Sequence, residues 1–108
     1  MTQKINFVMV STTVDNKTVA QELADSIIAS RLAACVQCMP INSTYRWQGA
    51  VERAGEYLLL AKTRAALADR LSAFIQERHS YEVPEIIVTP LIGGYQAYLD
   101  WINSETEK

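Results

Sequence analysis

Two cysteines in the run Cys35-Val36-Gln37-Cys38 have the C-x-x-C spacing of redox and metal centres. In such centres both sulfurs face one point from a turn or a helix start. Here the run lies in an extended stretch, where residues i and i+3 point to opposite faces and their Cα atoms sit about 10 Å apart. A disulfide cannot bridge that gap. With no further cysteine in the chain, buried reduced thiols are expected.

His79 is the single histidine, beside Arg78 at the end of an amphipathic run. One histidine without a matching nucleophile makes no serine-type triad. It reads either as a helix-terminal residue facing free carbonyls or as one ligand of a transition-metal site. Met39, Cys38 and Glu85 are the candidates to complete such a site. Lys62 closes the apolar run Tyr57-Leu58-Leu59-Leu60-Ala61, and a lysine there must reach solvent or a carboxylate. Glu85 is the expected partner. The alternative is a pocket for an anionic ligand, lined also by Tyr81 and Trp101, which otherwise read as core or interface aromatics. No nucleophile–base pair stands out, so no enzyme activity is expected.

Composition narrows the partners. The chain has 108 residues, 49 % hydrophobic and 20 % charged, with a net charge of −2, which suits one globular domain over residues 1–108. Acids and bases are interspersed, so the basic stripe of a nucleic-acid binder is missing. Apolar runs fall far short of the roughly 20 residues that span a bilayer. Met1-Thr2-Gln3-Lys4 leads directly into a strand-like run without a secretory pattern. A cytoplasmic protein with reduced cysteines is the expectation. Neither a glycine-rich phosphate loop nor an H-E-x-x-H helix occurs. The strand Glu56-Tyr57-Leu58-Leu59-Leu60-Ala61 lacks the basic and aromatic residues of an RNA-recognition motif.

The elements that must position these residues follow from periodicity. Residues 5–10 read as a buried strand. Asp15 is the expected N-cap of the first helix, with Val14 and Val19 as a hydrophobic staple. Val19, Ala20, Leu23, Ala24, Ile27 and Ile28 form its apolar face, and Arg31 suits its C-terminal dipole. Residues 34–48 and 51–63 read as extended arms joined at Gln48-Gly49, with Pro40 marking a bulge or an edge. Ser43, Tyr45 and Trp47 share one face of the first arm. Thr63 is the expected cap of a second helix with the stripe Leu67, Leu71, Phe74, Ile75 and Arg78. Residues 83–92 form the last strand, interrupted by Pro84 and Pro90. After Gly93-Gly94 comes a short helix with Tyr95, Tyr98, Leu99 and Ile102 on one side.

The order β-α-β-β-α-β plus a terminal helix is the α+β, ferredoxin-like arrangement, with both long helices on one face of an antiparallel sheet. Each hairpin arm reaches roughly 45 Å at about 3.3 Å per residue. A domain of this size is roughly 35 Å across. The tip must overhang, and copies of the same chain are the simplest cover for its edges and aromatics.

Five pieces of the sequence together resemble the CutA family of divalent-cation tolerance proteins. They are Leu32-Ala33-Ala34-Cys35-Val36, Tyr45-Arg46-Trp47-Gln48-Gly49, Lys62-Thr63, Tyr81-Glu82-Val83-Pro84-Glu85-Ile86 and Tyr98-Leu99-Asp100-Trp101. The resemblance runs from about residue 5 to residue 102. It implies a ferredoxin-like homotrimer whose long hairpins pair between subunits, with a role in tolerance of copper or another divalent cation. It also implies copper ligands: a cysteine just after the first strand and two adjacent histidines after the second helix. This sequence carries Ser11 and Arg78 at two of those places, leaving His79 alone. Loss of the thiolate should weaken copper(I) binding most. By analogy of fold, the alternative is a trimeric sensor like the PII signalling proteins, holding a small effector between subunits with Lys62, Tyr81, Glu85 and Trp101.

Overall fold

A computed structural model describes residues 4–108. Residues 1–3, which carry part of the expectation of no secretory lead, lie outside the described residues. The elements are β1 (Phe7–Val14), α1 (Lys17–Ala29), β2 (Cys35–Trp47) and β3 (Ala50–Arg64), then a 3-10 turn (Ala65–Leu67), α2 (Ala68–Arg78), β4 (Ile86–Leu91) and α3 (Gln96–Glu105). The four strands form one antiparallel sheet in the order β2-β3-β1-β4. This is the expected ferredoxin-like topology with an added C-terminal helix.

The pleat assigns the two faces. Val8, Val10 and Val14 of β1 and Leu59 and Ala61 of β3 meet Leu23 and Ile27 of α1 and Leu71 and Ile75 of α2 in the core. Each aliphatic side chain fully buried there contributes about 1.5–3 kcal/mol. The alternate residues, among them Met9, Ser11, Thr13, Leu58, Leu60, Lys62 and Ile87, belong to the opposite face. α3 meets that face at the Lys62 end, where Lys62 Nζ stands 5.5 Å from the Tyr98 ring centre. The chain end is tied back by Thr106, which accepts from Arg64 Nε at 3.0 Å, and by the Arg70–Glu107 ion pair at 3.1 Å. None of the described helices is long and apolar enough to cross a membrane.

Several local expectations are corrected. β1 continues four residues past Val10 because Ser11, Thr12 and Thr13 are buried in it; Thr has strong strand propensity despite its hydroxyl. The cap of α1 is Asn16, whose Oδ1 accepts from the Val19 N–H at 2.8 Å, and not Asp15. That shift also moves Val14 and Val19 out of staple positions. Arg31 lies beyond the helix in the left-handed region (φ 58). There the Arg31 and Leu32 N–H groups donate to the Ile28 and Ile27 carbonyls, closing a Schellman motif. Its guanidinium reaches the Ser104 carbonyl at 3.1 Å. Thr63 caps nothing: it is a fully buried residue of β3, and the helix after it enters through the 3-10 turn. Pro84 falls outside β4, while Pro90 fits within it because β4 is an edge strand.

The β2–β3 pairing runs without a break from Cys35↔Lys62 through Pro40↔Tyr57 to Trp47↔Ala50. Pro40 therefore marks the sheet edge and makes no bulge. β1 pairs with β3 only as far as Tyr57, so residues 50–56 are hydrogen-bonded to β2 alone. The hairpin thus projects roughly 20 Å beyond the sheet, in a molecule measuring 43 × 35 × 22 Å. Its turn places Gln48 at φ 50 and Gly49 at φ 82, the two positive angles of a type I′ turn. Gln48→Asn is expected to raise stability by up to about 1 kcal/mol, because Asn tolerates that region better. A denaturant midpoint unchanged or lowered by the substitution would contradict this.

Candidate functional site

α2 stops at Arg78, and His79 turns into extended backbone (φ −82, ψ 139). Its ring then fastens the following segment to β1. Nε2 lies 2.7 Å from the Thr13 carbonyl and donates to it, while Nδ1 accepts from the Tyr81 N–H at 3.1 Å. That pattern fixes the Nε2–H tautomer. The Tyr81 ring packs against the imidazole with centroids 4.7 Å apart. So placed, the Tyr81 hydroxyl donates to Glu56 Oε2 at 2.7 Å. Burial first, then the hydrogen bond and charge of Glu56, push the Tyr81 phenol far above its ordinary range and keep its proton on.

Between this segment and the projecting hairpin lies a cleft of about 700 Å³. Tyr45 and Trp47 of β2 line one side, Glu56 and Tyr81 meet within it, and Asp15, Glu82 and Glu85 also border it. No lysine or arginine is among its described lining residues.

The expected pocket residues fall into two places within one chain. Tyr81 and Glu85 border the cleft. Lys62 and Trp101 lie against Tyr98, with the Tyr98 and Trp101 rings 5.4 Å apart. Lys62 forms no ion pair with Glu85 among the described residues; it faces an aromatic ring instead. The register explains why. Lys62 is opposite Met9, whereas Ile86, next to Glu85, is opposite Thr12, three residues further along β1.

His79 does not gather Cys38 and Glu85 into a metal cluster: among the described residues no group of three His, Cys, Asp or Glu side chains converges. Both ring nitrogens are occupied by backbone partners. Ser11 lies inside β1, where its hydroxyl donates to the Ile87 carbonyl at 3.5 Å. Cys35 and Cys38 pair with Lys62 and Leu59 on opposite faces, and both are free. Cys38 is exposed rather than buried, because β2 is the sheet edge.

Glu56 is the residue that sequence reading missed. It is 7 % exposed, yet as the first residue of an apolar run it reads as a solvated strand end. Its signal was the period of two: Glu56 shares a face with Leu58 and Leu60.

The profile of the family described as "CutA1 divalent ion tolerance protein" matches residues 8–105. "Protein CutA 1, chloroplastic" of Oryza sativa is 43 % identical over 102 residues, covering 94 % of this chain and 58 % of that protein. The "Divalent-cation tolerance protein CutA" of Thermus thermophilus is 41 % identical over 95 residues, covering 87 % of this chain and 92 % of that one. The chain thus spans little more than half the length of the plant and mammalian relatives it matches. The crystal structure of CutA1 from Oryza sativa superposes with a TM-score of 0.93 at 42 % identity, over 96 % of each chain. CutA from Synechococcus elongatus gives 0.92 at 37 % identity, over 98 % of this chain and 95 % of that one. By sequence and by fold, the chain belongs to the CutA1 family.

Proposed function

We propose that the chain acts as a homotrimer in a divalent-cation tolerance role, with its working surface where copies meet and not in a metal centre on one chain. The observation that carries this is the projecting hairpin. Residues 50–56 pair only with β2, and Tyr45, Trp47 and Val51 on it are 44 %, 39 % and 50 % exposed. Open edges and aromatic surface of this kind are normally covered by a partner. The tolerance role comes from the relatives' names. Light scattering tests the assembly: three times 12.1 kDa, about 36 kDa, is expected. A folded particle of 12.1 kDa at micromolar concentration would sink the reading.

Copper held weakly, if at all, through His79 is the narrower form of this role. A metal there would have to displace the Thr13 carbonyl or the Tyr81 N–H. Calorimetric titration with copper(II), and with copper(I) under reductant, is therefore expected to give heats that His79→Ala leaves unchanged. Micromolar binding lost in that variant would establish the histidine as a ligand.

A second reading has its own observation. The cleft of about 700 Å³ between the hairpin and the segment after α2 falls within the size range of small-molecule sites. In this reading the protein is a sensor of the PII type. A neighbouring copy would bring its Lys62 and Trp101 toward the Tyr81 and Glu85 of the first, completing an effector pocket at the subunit boundary.

A further inference from the structure

Three arginines from three elements close on the segment that follows α3, at the opposite end of β3 from the hairpin tip. Arg70, near the start of α2, donates through Nη2 to both oxygens of the Glu107 carboxylate, at 3.1 Å each. Arg64, at the end of β3, donates to the Thr106 hydroxyl and to the Glu107 carbonyl. Arg31 donates to the Ser104 carbonyl, and its own carbonyl accepts from the Glu107 N–H at 2.9 Å. Arg31 also stands in the left-handed region, where glycine is the usual residue after a helix. A long side chain kept in that conformation points to a use for it.

The charges here do not balance. Among the described residues, Arg70 with Glu107 is the one ion pair that these three arginines make. Arg31 and Arg64 meet only neutral carbonyl and hydroxyl acceptors. Glu107 thus brings one negative charge to three guanidinium groups, and Arg70 takes both of its oxygens. The pair is also exchangeable, with its side chains 55 % and 46 % exposed; ion pairs so exposed contribute little.

We propose that Arg31, Arg64 and Arg70 form a site for a small phosphate-bearing anion, which Glu107 fills in cis as a weaker, displaceable ligand. A carboxylate offers two oxygens in one plane, whereas a phosphate group offers three acceptor oxygens and more charge. Guanidinium forks match phosphate oxygens in pairs, so the two arginines left on neutral acceptors would gain ionic ones. Thr106 and Ile102, 1 % and 0 % exposed, anchor α3 independently, so residue 107 can leave without unseating the helix. The site shares no residue with the cleft or with the surfaces assigned above to contacts between copies, and it stands apart from both readings.

The test is calorimetric titration of the intact protein with inorganic pyrophosphate, and with acetate at equal ionic strength. Pyrophosphate is expected to bind saturably and acetate not to. Glu107→Gln removes the competing charge, so it is expected to tighten pyrophosphate binding by up to about fivefold, the fold-change that corresponds to an exposed ion pair. In that Glu107→Gln background, Arg64→Gln and Arg70→Gln are each expected to weaken binding about tenfold, as loss of a charge-assisted hydrogen bond does. Arg70 is exposed, so its variant decides the matter should Arg64→Gln fail to fold by circular dichroism. Amide hydrogen exchange gives a second readout: with pyrophosphate bound, the Glu107 N–H should exchange faster as it leaves the Arg31 carbonyl. Equal binding of acetate, or pyrophosphate affinity that Glu107→Gln leaves unchanged or weakens, would overturn the proposal. So would affinity indifferent to the arginine variants, or a Glu107 amide that exchanges as slowly with pyrophosphate as without it.

Discussion

Ile87→Glu is expected to convert a particle of about 36 kDa, three times 12.1 kDa, into one of 12.1 kDa without loss of secondary structure. Ile87 is in β4, opposite Ser11, and 51 % exposed. Within an isolated chain a charge at so exposed a site changes stability by no more than about 0.5 kcal/mol. Within an interface between copies, the same charge would be desolvated without a partner at a cost of several kcal/mol, repeated at each boundary. The two cases therefore differ in sign of outcome and not only in degree. Neighbouring Val88 and, across the sheet on the other edge, Met39 are also exposed, at 44 % and 43 %. Both edges of the sheet thus present apolar surface that a partner would cover. Gln21→Glu on the exposed side of α1 serves as a control of equal charge. A variant at Ile87 that keeps the parent mass would show that this edge is not an interface.

Legibility in the sequence tracked how local each determinant is. The hairpin arms were readable because alternation and the Gln48-Gly49 turn are short-range signals, and the observed strands, Cys35–Trp47 and Ala50–Arg64, nearly coincide with the expected arms. Adjacent cap formers could not be ranked, since Asp15 and Asn16 are both good caps and only backbone geometry selects Asn16. Thr63 looked like a cap for the same hydroxyl that the fold buries in β3 without a partner. Long-range pairing was the least accessible. Whether Lys62 could meet Glu85 depended on the register of β1 with both β3 and β4, which no periodicity encodes. The place of His79 depended likewise on a backbone carbonyl 66 residues away. The order of elements supplied the topology and the family resemblance agreed with it, yet neither could tell that both imidazole nitrogens would be engaged.

Tyr81→Phe is expected to cost about 1–3 kcal/mol at neutral pH, since it removes the hydroxyl donor to a carboxylate that is 7 % exposed. The cost should depend on pH in a defined direction. The folded phenol titrates above its usual value of 10.0, from burial first and then from the Glu56 hydrogen bond and charge. Above pH 10 the unfolded chain releases this proton while the folded chain retains it. The unfolded state then binds fewer protons, and the stability tied to Tyr81 declines as pH rises further. The gap between parent and Tyr81→Phe is therefore widest below pH 10 and narrows above it. Denaturant unfolding at one fixed protein concentration, with and without the substitution, measures that gap directly. In a Glu56→Gln background the same change should cost less, because a neutral amide needs the donor less than a carboxylate does, and the difference is the coupling between the two side chains. A gap that stays constant or widens above pH 10, or costs that simply add, would mean that the hydroxyl and the carboxylate act independently and that Glu56 is satisfied by some other route.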